Sequence, residues 1–516
     1  IISNRIQNTI LVYQNNAKKS TNEGEQSLME NNQGNQVQHF EEAEISPEKI
    51  LHTRNPRNFL GTDGITKLIL QYSVPSIIGL LVNALYNIVD QIFIGMGIGY
   101  LGIAAANVAQ PLTTLSTAFA LLFGVGGATN YSLFLGKGNT ERANRLAGNG
   151  MTFLILSGTV LGLGTLIFLK PALYLLGATE LVMPYAIPYT ALIAIGLPFL
   201  TFTHGACTYM RADGSPTYSM VIQIIGSVFN LIFDPVFLFV CNMGIFGIAL
   251  ATALSQILTA AISAHYLIKK RRLMSFGKKD MLPTTNCLKP ISAIGFGVCI
   301  NQIAVATVQI VLNDVLRHYG AVSTYGSEIP LAAAGVASKV FVLYQAFIIG
   351  VVQGFQPVLA YNYGARLYDR VKQIYKVSLS LSSLFSIVTF LLCMIFPGQI
   401  CSLFGTGNKA FFTFTVRFLR IYMLLTFANG IQPIVYNIFN SIGKVKIGMI
   451  VTLSRQILFA IPLLILLPAL FGFEGALWAT PIADFLAAIL SIVLFAREMK
   501  ETNKLILSSR ENIVSG

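Results

Sequence analysis

The sequence predicts an all-α polytopic membrane protein with twelve transmembrane helices in two six-helix lobes related by a pseudo-twofold axis along the membrane normal. Three observations carry this. Of the 516 residues, 54% are hydrophobic and only 11% charged, against roughly 25% charged in ordinary soluble domains. The apolar residues come in blocks of about twenty, enough to cross the hydrocarbon core as a helix; unbroken blocks exclude the alternating pattern of a membrane barrel. The two halves of the chain also align at one fixed offset.

Residues 1–64 are polar, rich in Asn, Gln, Glu and Ser, and are expected to form a disordered cytoplasmic tail. They hold no apolar run of signal-peptide type, so the first spanning helix is expected to start translocation itself. The chain begins with Ile rather than Met, and that end says nothing about targeting. Apolar blocks between polar or Gly/Pro breaks then place helices at 68–96, 101–127, 143–169, 184–210, 216–241, 244–268, 290–317, 329–356, 370–396, 411–438, 444–468 and 472–496. Helices 1–6 make an N-lobe over 65–268, residues 269–289 a basic cytoplasmic linker, helices 7–12 a C-lobe over 290–497, and 498–516 a cytoplasmic C-terminal tail.

The connections sort by charge. Lys137, Arg142, Arg145, Arg211, the run Lys269 to Arg272, Lys278, Lys279, Arg366, Arg370, Lys372, Lys444 and Lys446 all fall on one side. The opposite connections hold little beyond Lys170, Arg317 and Lys409. The positive-inside rule makes the basic side cytoplasmic and puts both termini there. This also accounts for the net charge of +13 without a nucleic-acid partner, because the basic residues lie between apolar blocks rather than along one face. The six cysteines show neither CxxC spacing nor nearby histidine pairs, so they read as small apolar side chains with no redox or metal role.

At an offset of 228, Ala104-Ala105-Ala106 falls on Ala332-Ala333-Ala334, Gly126 on Gly354, Gly136 on Gly364 and Arg142 on Arg370 (364 − 136 = 228). The same register returns near the ends of the halves, where Gly244, Gly247, Ala251 and Thr252 fall on Gly472, Gly475, Ala479 and Thr480 (475 − 247 = 228). One offset recurring over two separated stretches points to duplication. Six spans per half is an even number, so both halves enter the membrane the same way, the parallel-repeat plan of many secondary transporters.

An ionisable group within the bilayer is a functional candidate by default. Asp90, Asp234, Asp314 and Asp484 fall within predicted spans, Asp314 close to the outer end of helix 7. Asp90, on helix 1, and Asp234, on helix 5, each reach roughly 8–10 Å below the outer boundary at about 1.5 Å per residue. Thr252 on helix 6 reaches the same level. Asn87 and Asn230 share helix faces with Asp90 and Asp234. Pro235 cannot donate to the carbonyl of Leu231, which leaves that oxygen free for the same patch, and Pro75 is expected to kink helix 1. Two such acids with no basic partner on their own helices suit a site that exchanges protons or a small cation for a cationic substrate.

The second half repeats the frame without that chemistry: Asp234 falls on Pro462 (462 − 234 = 228). Arg455 on helix 11 and Asp484 on helix 12 lie at similar depth and are expected to pair as a structural brace.

The motifs Asn87-x-x-Asp90-x-x-Phe93-Ile94-Gly95, Gly124 to Gly127 leading to Gly136-Lys137-Gly138, Arg211-Ala-Asp-Gly-Ser-Pro216 and Asn230-x-x-x-Asp234-Pro235 together resemble the MATE family of multidrug and toxin extruders, especially its DinF-like and MepA-like members. The resemblance spans roughly residues 65–500. It implies an alternating-access exporter of lipophilic organic cations driven by inward movement of H+ or Na+, with no enzyme activity, no cofactor and no metal beyond a Na+ at Asp90 and Asp234. Asp90, Asn230, Asp234 and Thr252 match that family's ion-coupling cluster, and Pro75 matches the proline at which helix 1 bends in some members. Where some members carry an Asn on helix 4, this chain reads His204-Gly205-Ala206-Cys207-Thr208, which leaves His204 and Thr208 as candidate cavity residues. Asn301 and Ile431-Gln432-Pro433 offer none of the second-lobe acids of NorM-like members.

The partners so implied are a small organic cation and the lipid bilayer, with no nucleic acid, for a monomer in the plasma membrane. Within transport, the rival reading is a flippase of lipid-linked substrates on the same two-lobe plan; the acidic charges of the first half argue against an anionic headgroup. A membrane-embedded enzyme is the rival of another class, but the chain shows no metal-ligand spacing, nucleophile elbow or phosphate loop. A channel has no need of duplicated lobes.

Overall fold

The computed structural model of the protein describes residues 59–326, 328–403 and 409–514. Most of the expected polar tail, 1–64, therefore lies outside the described residues; its last part forms a short 3-10 turn, Phe59–Gly61, ahead of the first span. The first half comprises α1 (Ile65–Gly97), α2 (Tyr100–Gly136), α3 (Thr140–Ile167), α4 (Met183–Ala212), α5 (Pro216–Val240) and α6 (Gly244–Lys269). The second comprises α7 (Thr285–Ala321), α8 (Glu328–Gly364), α9 (Tyr368–Ile395), α10 (Lys409–Tyr422 and Thr426–Ser441, bent by 42°) and a long apolar stretch from Val445. That stretch divides at Gly472, whose φ of 62° and ψ of −145° are not helical, into α11 (445–471) and α12 (473–514). Twelve spans result.

Local chemistry accounts for several breaks. Asn139 caps α3 by accepting a hydrogen bond from the Arg142 amide. Pro216 opens α5, where its missing N–H is harmless. Pro235 withholds an amide in the same helix, and the turns after it, Val236–Val240, widen to π geometry. α1, in contrast, continues as one helix through Pro75.

The duplication is visible in three dimensions. Gly244 and Gly472 both take the positive φ that opens a returning helix, 58° and 62°, a region that only glycine enters without steric penalty. Short helices Leu169–Leu175 and Pro397–Ser402 follow α3 and α9 in the same register (397 − 169 = 228).

Two expected boundaries move. The linker expected at 269–289 ends earlier, because α7 begins at Thr285, and it is fastened to the first half rather than strung between halves. The Asp213 carboxylate, fully buried, accepts hydrogen bonds from the amides of Arg272, Leu273 and Met274 at 2.8, 2.7 and 2.7 Å and from the Tyr266 hydroxyl at 2.6 Å. Asn149 holds the Asp280 carbonyl and the Thr284 amide. Likewise the expected tail at 498–516 continues α12 as helix to Val514; Glu498 and Glu501 there pair with Lys444 from the loop before α11.

The halves meet only part of the way along their length, as the apolar packing shows. Toward the ends away from the basic connections, one core unites Ile94, Ala105, Tyr189 and Ile248 of the first half, and a separate one unites Leu312, Ala337, Phe418 and Ala476 of the second. Toward the basic ends the cores cross between halves: Leu68 and Tyr72 of α1 pack with Phe355 of α8, and Leu133 of α2 with Ile294 of α7 and Ala360 of α8. Here glycines bring backbones together. A Cβ on Gly126 would strike the Ile291 carbonyl, one on Gly295 the Leu122 carbonyl and one on Gly354 the backbone of Ser73. Asn130 donates to the Pro290 carbonyl at 2.9 Å and Asn362 to the Leu60 carbonyl at 2.9 Å, while Arg370 reaches the Asp63 carbonyl at 2.7 Å. The seam is closed at the basic ends, and beyond it each half keeps its own core.

Candidate functional site

Helices α1 and α5 pack along each other in the first half, and the height matching expected from residue counts brings Asp90 and Asp234 together, their carboxyl groups near enough to interact directly. Asp234 is fully buried. Both of its oxygens, Oδ1 of Asp90 and Oδ1 of Asn230, one turn below, are buried without any hydrogen-bond donor. Tyr86 on α1 and Tyr189 on α4 sit close to both acids, and the Thr252 hydroxyl of α6 reaches Tyr86. Facing carboxylate oxygens with no donor between them call for a positive partner. The surrounding ligand set is all oxygen (carboxylate, amide carbonyl, hydroxyl), the set that hard cations take. A proton or a sodium ion fits it.

Asn87 departs from expectation. Its Nδ2 donates to the Asn83 carbonyl at 2.7 Å and to Asn83 Oδ1 at 3.2 Å, so it is paired with Asn83 rather than with Asp90. A side-chain amide on a helix reaches the carbonyl four residues back more easily than a side chain three residues on. Asn87 and Gln91 are exposed.

The helix 4 candidates separate. Thr208 donates to the Gly205 carbonyl and lines a small cavity in the seam with Thr129, Arg211, Gln353 and Gln356. His204 is half-buried and does not line that cavity. Arg211, expected as a loop charge, is instead 5% exposed, donates to Ser219 Oγ at 3.0 Å and lines the same seam cavity; its helix ends one residue later.

In the second half Arg455 Nε meets Asp484 Oδ1 at 2.6 Å, and Asn429 Nδ2 donates to Asp484 Oδ2 at 2.9 Å. Arg455 lies in a π-helical turn, Ser454–Ala460, and Asn429 just after the bend of α10. Asp314 is exposed beside Arg317 and His318 at the outer end of α7. Among the described residues no three His, Cys, Asp or Glu side chains gather as a metal set, and the six cysteines are free thiols, Cys241 alone exposed.

Sequence reasoning passed over Tyr86, Tyr189 and Asn83. Tyr86 stands four residues before Asp90 and shares its face, so it was legible. Tyr189 comes to the site only by helix packing.

Comparison with known proteins agrees with this geometry. The MatE family profile matches residues 75–236 and 298–466, one stretch in each half. The chain is similar to the multidrug export protein MepA of Staphylococcus haemolyticus (strain JCSC1435), 25% identical over 430 residues that cover 83% of this chain and 93% of that protein. To MepA of Staphylococcus aureus (strain N315) it is 26% identical over 435 residues, covering 83% and 93%. Its structure resembles that of the MATE multidrug transporter DinF-BH, with TM-score 0.78 and 33% identity over 85% of this chain and 96% of that one. It also shares its fold with an outward-facing multidrug resistance MATE family transporter of the MOP superfamily, with TM-score 0.80 and 22% identity over 86% and 98%. A profile match across both halves, the shared twelve-helix fold and a duplicated frame around one acidic site lead to one conclusion: this chain belongs to the MatE family.

Proposed function

We propose that this protein is a secondary antiporter that exports lipophilic organic cations in exchange for H+ or Na+. The observation that carries the reading is the facing pair Asp90 and Asp234, whose buried oxygens lack donors. A proton, a sodium ion or the cationic centre of a drug each supplies the missing positive partner, so ion and drug compete for the same negative charge. That competition is what an exchanger requires. Asn230, Thr252 and the Tyr86 and Tyr189 hydroxyls provide neutral polar contacts around it, and Arg455 with Asp484 braces the second lobe.

With the basic connections on the cytoplasmic side, the halves with their separate cores bound a cleft that opens outward, and the glycine-packed seam closes the path inward. Arrival of H+ or Na+ from outside neutralises the acids and releases the drug. Rocking of the lobes then opens the seam, where loss of the ion to the cytoplasm restores the site for the next drug. The reading includes a monomer in the plasma membrane with both termini inside.

The test is efflux of ethidium from proteoliposomes under imposed pH and Na+ gradients. Asp90→Asn and Asp234→Asn should each abolish gradient-driven efflux while inserting normally. Unimpaired efflux by both variants would sink the mechanism, and a response to only one gradient names the coupling ion.

A further inference from the structure

The seam cavity lies on the axis that relates the halves. Three pairs of repeat-related residues line it together: Val125 with Gln353, Ala128 with Gln356 and Thr129 with Pro357 (353 − 125 = 228, 356 − 128 = 228 and 357 − 129 = 228). Arg211 of α4 completes it, and the repeat mate of Arg211 is Phe439 (439 − 211 = 228). The frame is thus duplicated but its polarity is not. Two glutamines stand in the second half where the first has Val and Ala, and an arginine stands in the first where the second has Phe.

These polar groups are not satisfied by one another. Arg211 is 5% exposed, and its Nη1 donates to a neutral acceptor, Ser219 Oγ, at 3.0 Å. Among the described residues no carboxylate lies within ion-pair distance of it. Asp213, two residues on, is committed elsewhere: it accepts four hydrogen bonds from the linker amides and Tyr266, which use the lone pairs of a carboxylate. Across the cavity, Gln356 Nε2 is buried without an acceptor, and Gln353 Oε1 without a donor; a half-turn of the Gln353 amide offers its Nε2 instead. Thr129, also buried, adds a hydroxyl.

A buried guanidinium without a counter-charge is costly, and here it shares a cavity with neutral donors. About 10 Å³ is open to the centre of a water-sized sphere, room for one small occupant and not for a drug-sized molecule. We propose that this cavity binds a small monovalent inorganic anion, of which chloride is the type, between Arg211 of the first half and Gln353 and Gln356 of the second. The guanidinium supplies the charge and the amides supply further donors to it. Because its donors come from both halves, the site is complete only while the seam is closed. The anion therefore holds the protein in the state that is shut at the basic end, and opening of the seam releases it. This needs only the closed seam and stands apart from the antiport reading.

Chloride itself is the probe. The purified full chain in detergent is unfolded by heat at constant ionic strength while gluconate, too large for the cavity, is replaced stepwise by chloride. The unfolding temperature should rise by a few degrees and saturate, as for a ligand that binds the folded state alone, and bromide should act alike. Arg211→Gln should abolish the dependence on chloride. Gln356→Leu, which keeps the guanidinium, should raise the half-saturating chloride concentration about tenfold; if Arg211→Gln does not fold, this variant decides. The proposal is overturned if the parent unfolds at the same temperature in both salts, if Arg211→Gln keeps the full chloride effect, or if Gln356→Leu leaves the half-saturating concentration unaltered.

Discussion

Gly136 and Gly364 make one contact twice: Gly136 presses on the carbonyl oxygen of Tyr361, and Gly364 on that of Leu133. Both the glycines and the carbonyls are related by the repeat (364 − 136 = 228 and 361 − 133 = 228), so α2 and α8 cross on the pseudo-twofold axis itself. Backbones this close leave no room for a Cβ. Gly136→Ala or Gly364→Ala should therefore pry the basic end of the seam open and shift the lobes away from the cleft-open state. Spin labels at the exposed positions Glu141 and Lys446 would report it as a longer distance population. An unchanged distribution in both variants would mean the crossing does not hold the seam.

The pair Arg455 and Asp484 predicts a stability effect. Removing one member leaves the other as a buried, unpaired charge, a loss of about 3–5 kcal/mol, while replacing both with apolar residues of similar volume is much milder. Thermal unfolding in detergent should thus show Asp484→Asn and Arg455→Met each destabilised more than the double variant Arg455→Met with Asp484→Leu. Independent, additive losses would contradict the brace.

Asp213 predicts how the linker is held. Asp213→Asn surrenders the charge that three amides and the Tyr266 hydroxyl share, a loss of about 1–3 kcal/mol. Trypsin should then cut after Arg271 and Arg272 about tenfold faster than in the parent. An unaltered cleavage rate would show that Asn149 and Thr152, whose hydroxyl donates to the Met281 carbonyl at 2.6 Å, suffice to fasten this segment.

Gly472 predicts the junction of α11 and α12. At φ 62° and ψ −145° a side chain is strained by about 1–3 kcal/mol, and Gly472→Ala should lower the unfolding temperature and the yield of folded protein. Its repeat mate offers a control: Gly244→Ala, at φ 58°, should behave alike, since a Cβ at either position would touch nothing within 4 Å and the strain is of the backbone alone. A large difference between the two variants would point to a cause other than backbone conformation.

Much of the site could be read before folding was considered. Asp90, Asp234 and Thr252 are placed at one height by counting residues along helices of alternating direction, and a bilayer makes height meaningful because each helix must cross the same slab. Arg455 and Asp484 follow from the same count. Counting fails where the angle around a helix matters as well as the height. Asn87 lies at the right level yet turns to Asn83, and Tyr189 belongs to the site only because α4 packs against α2 and α6. Arg211 looks like a loop charge by position but is enclosed against Ser219 and the seam cavity.

The sequence by itself determined the twelve spans, the duplication and the presence of unpaired acids in the first half, because hydrophobic length, a fixed repeat offset and the exclusion of bare charge from lipid are each properties of a string of residues in a slab. Only the tertiary structure decided that the lobes close at the basic end, that the linker rides on the first half, and that Asn87 turns to Asn83. Those depend on which helix faces meet, and that choice is made by glycine-to-carbonyl contacts between residues more than a hundred positions apart, whose fit no local pattern encodes.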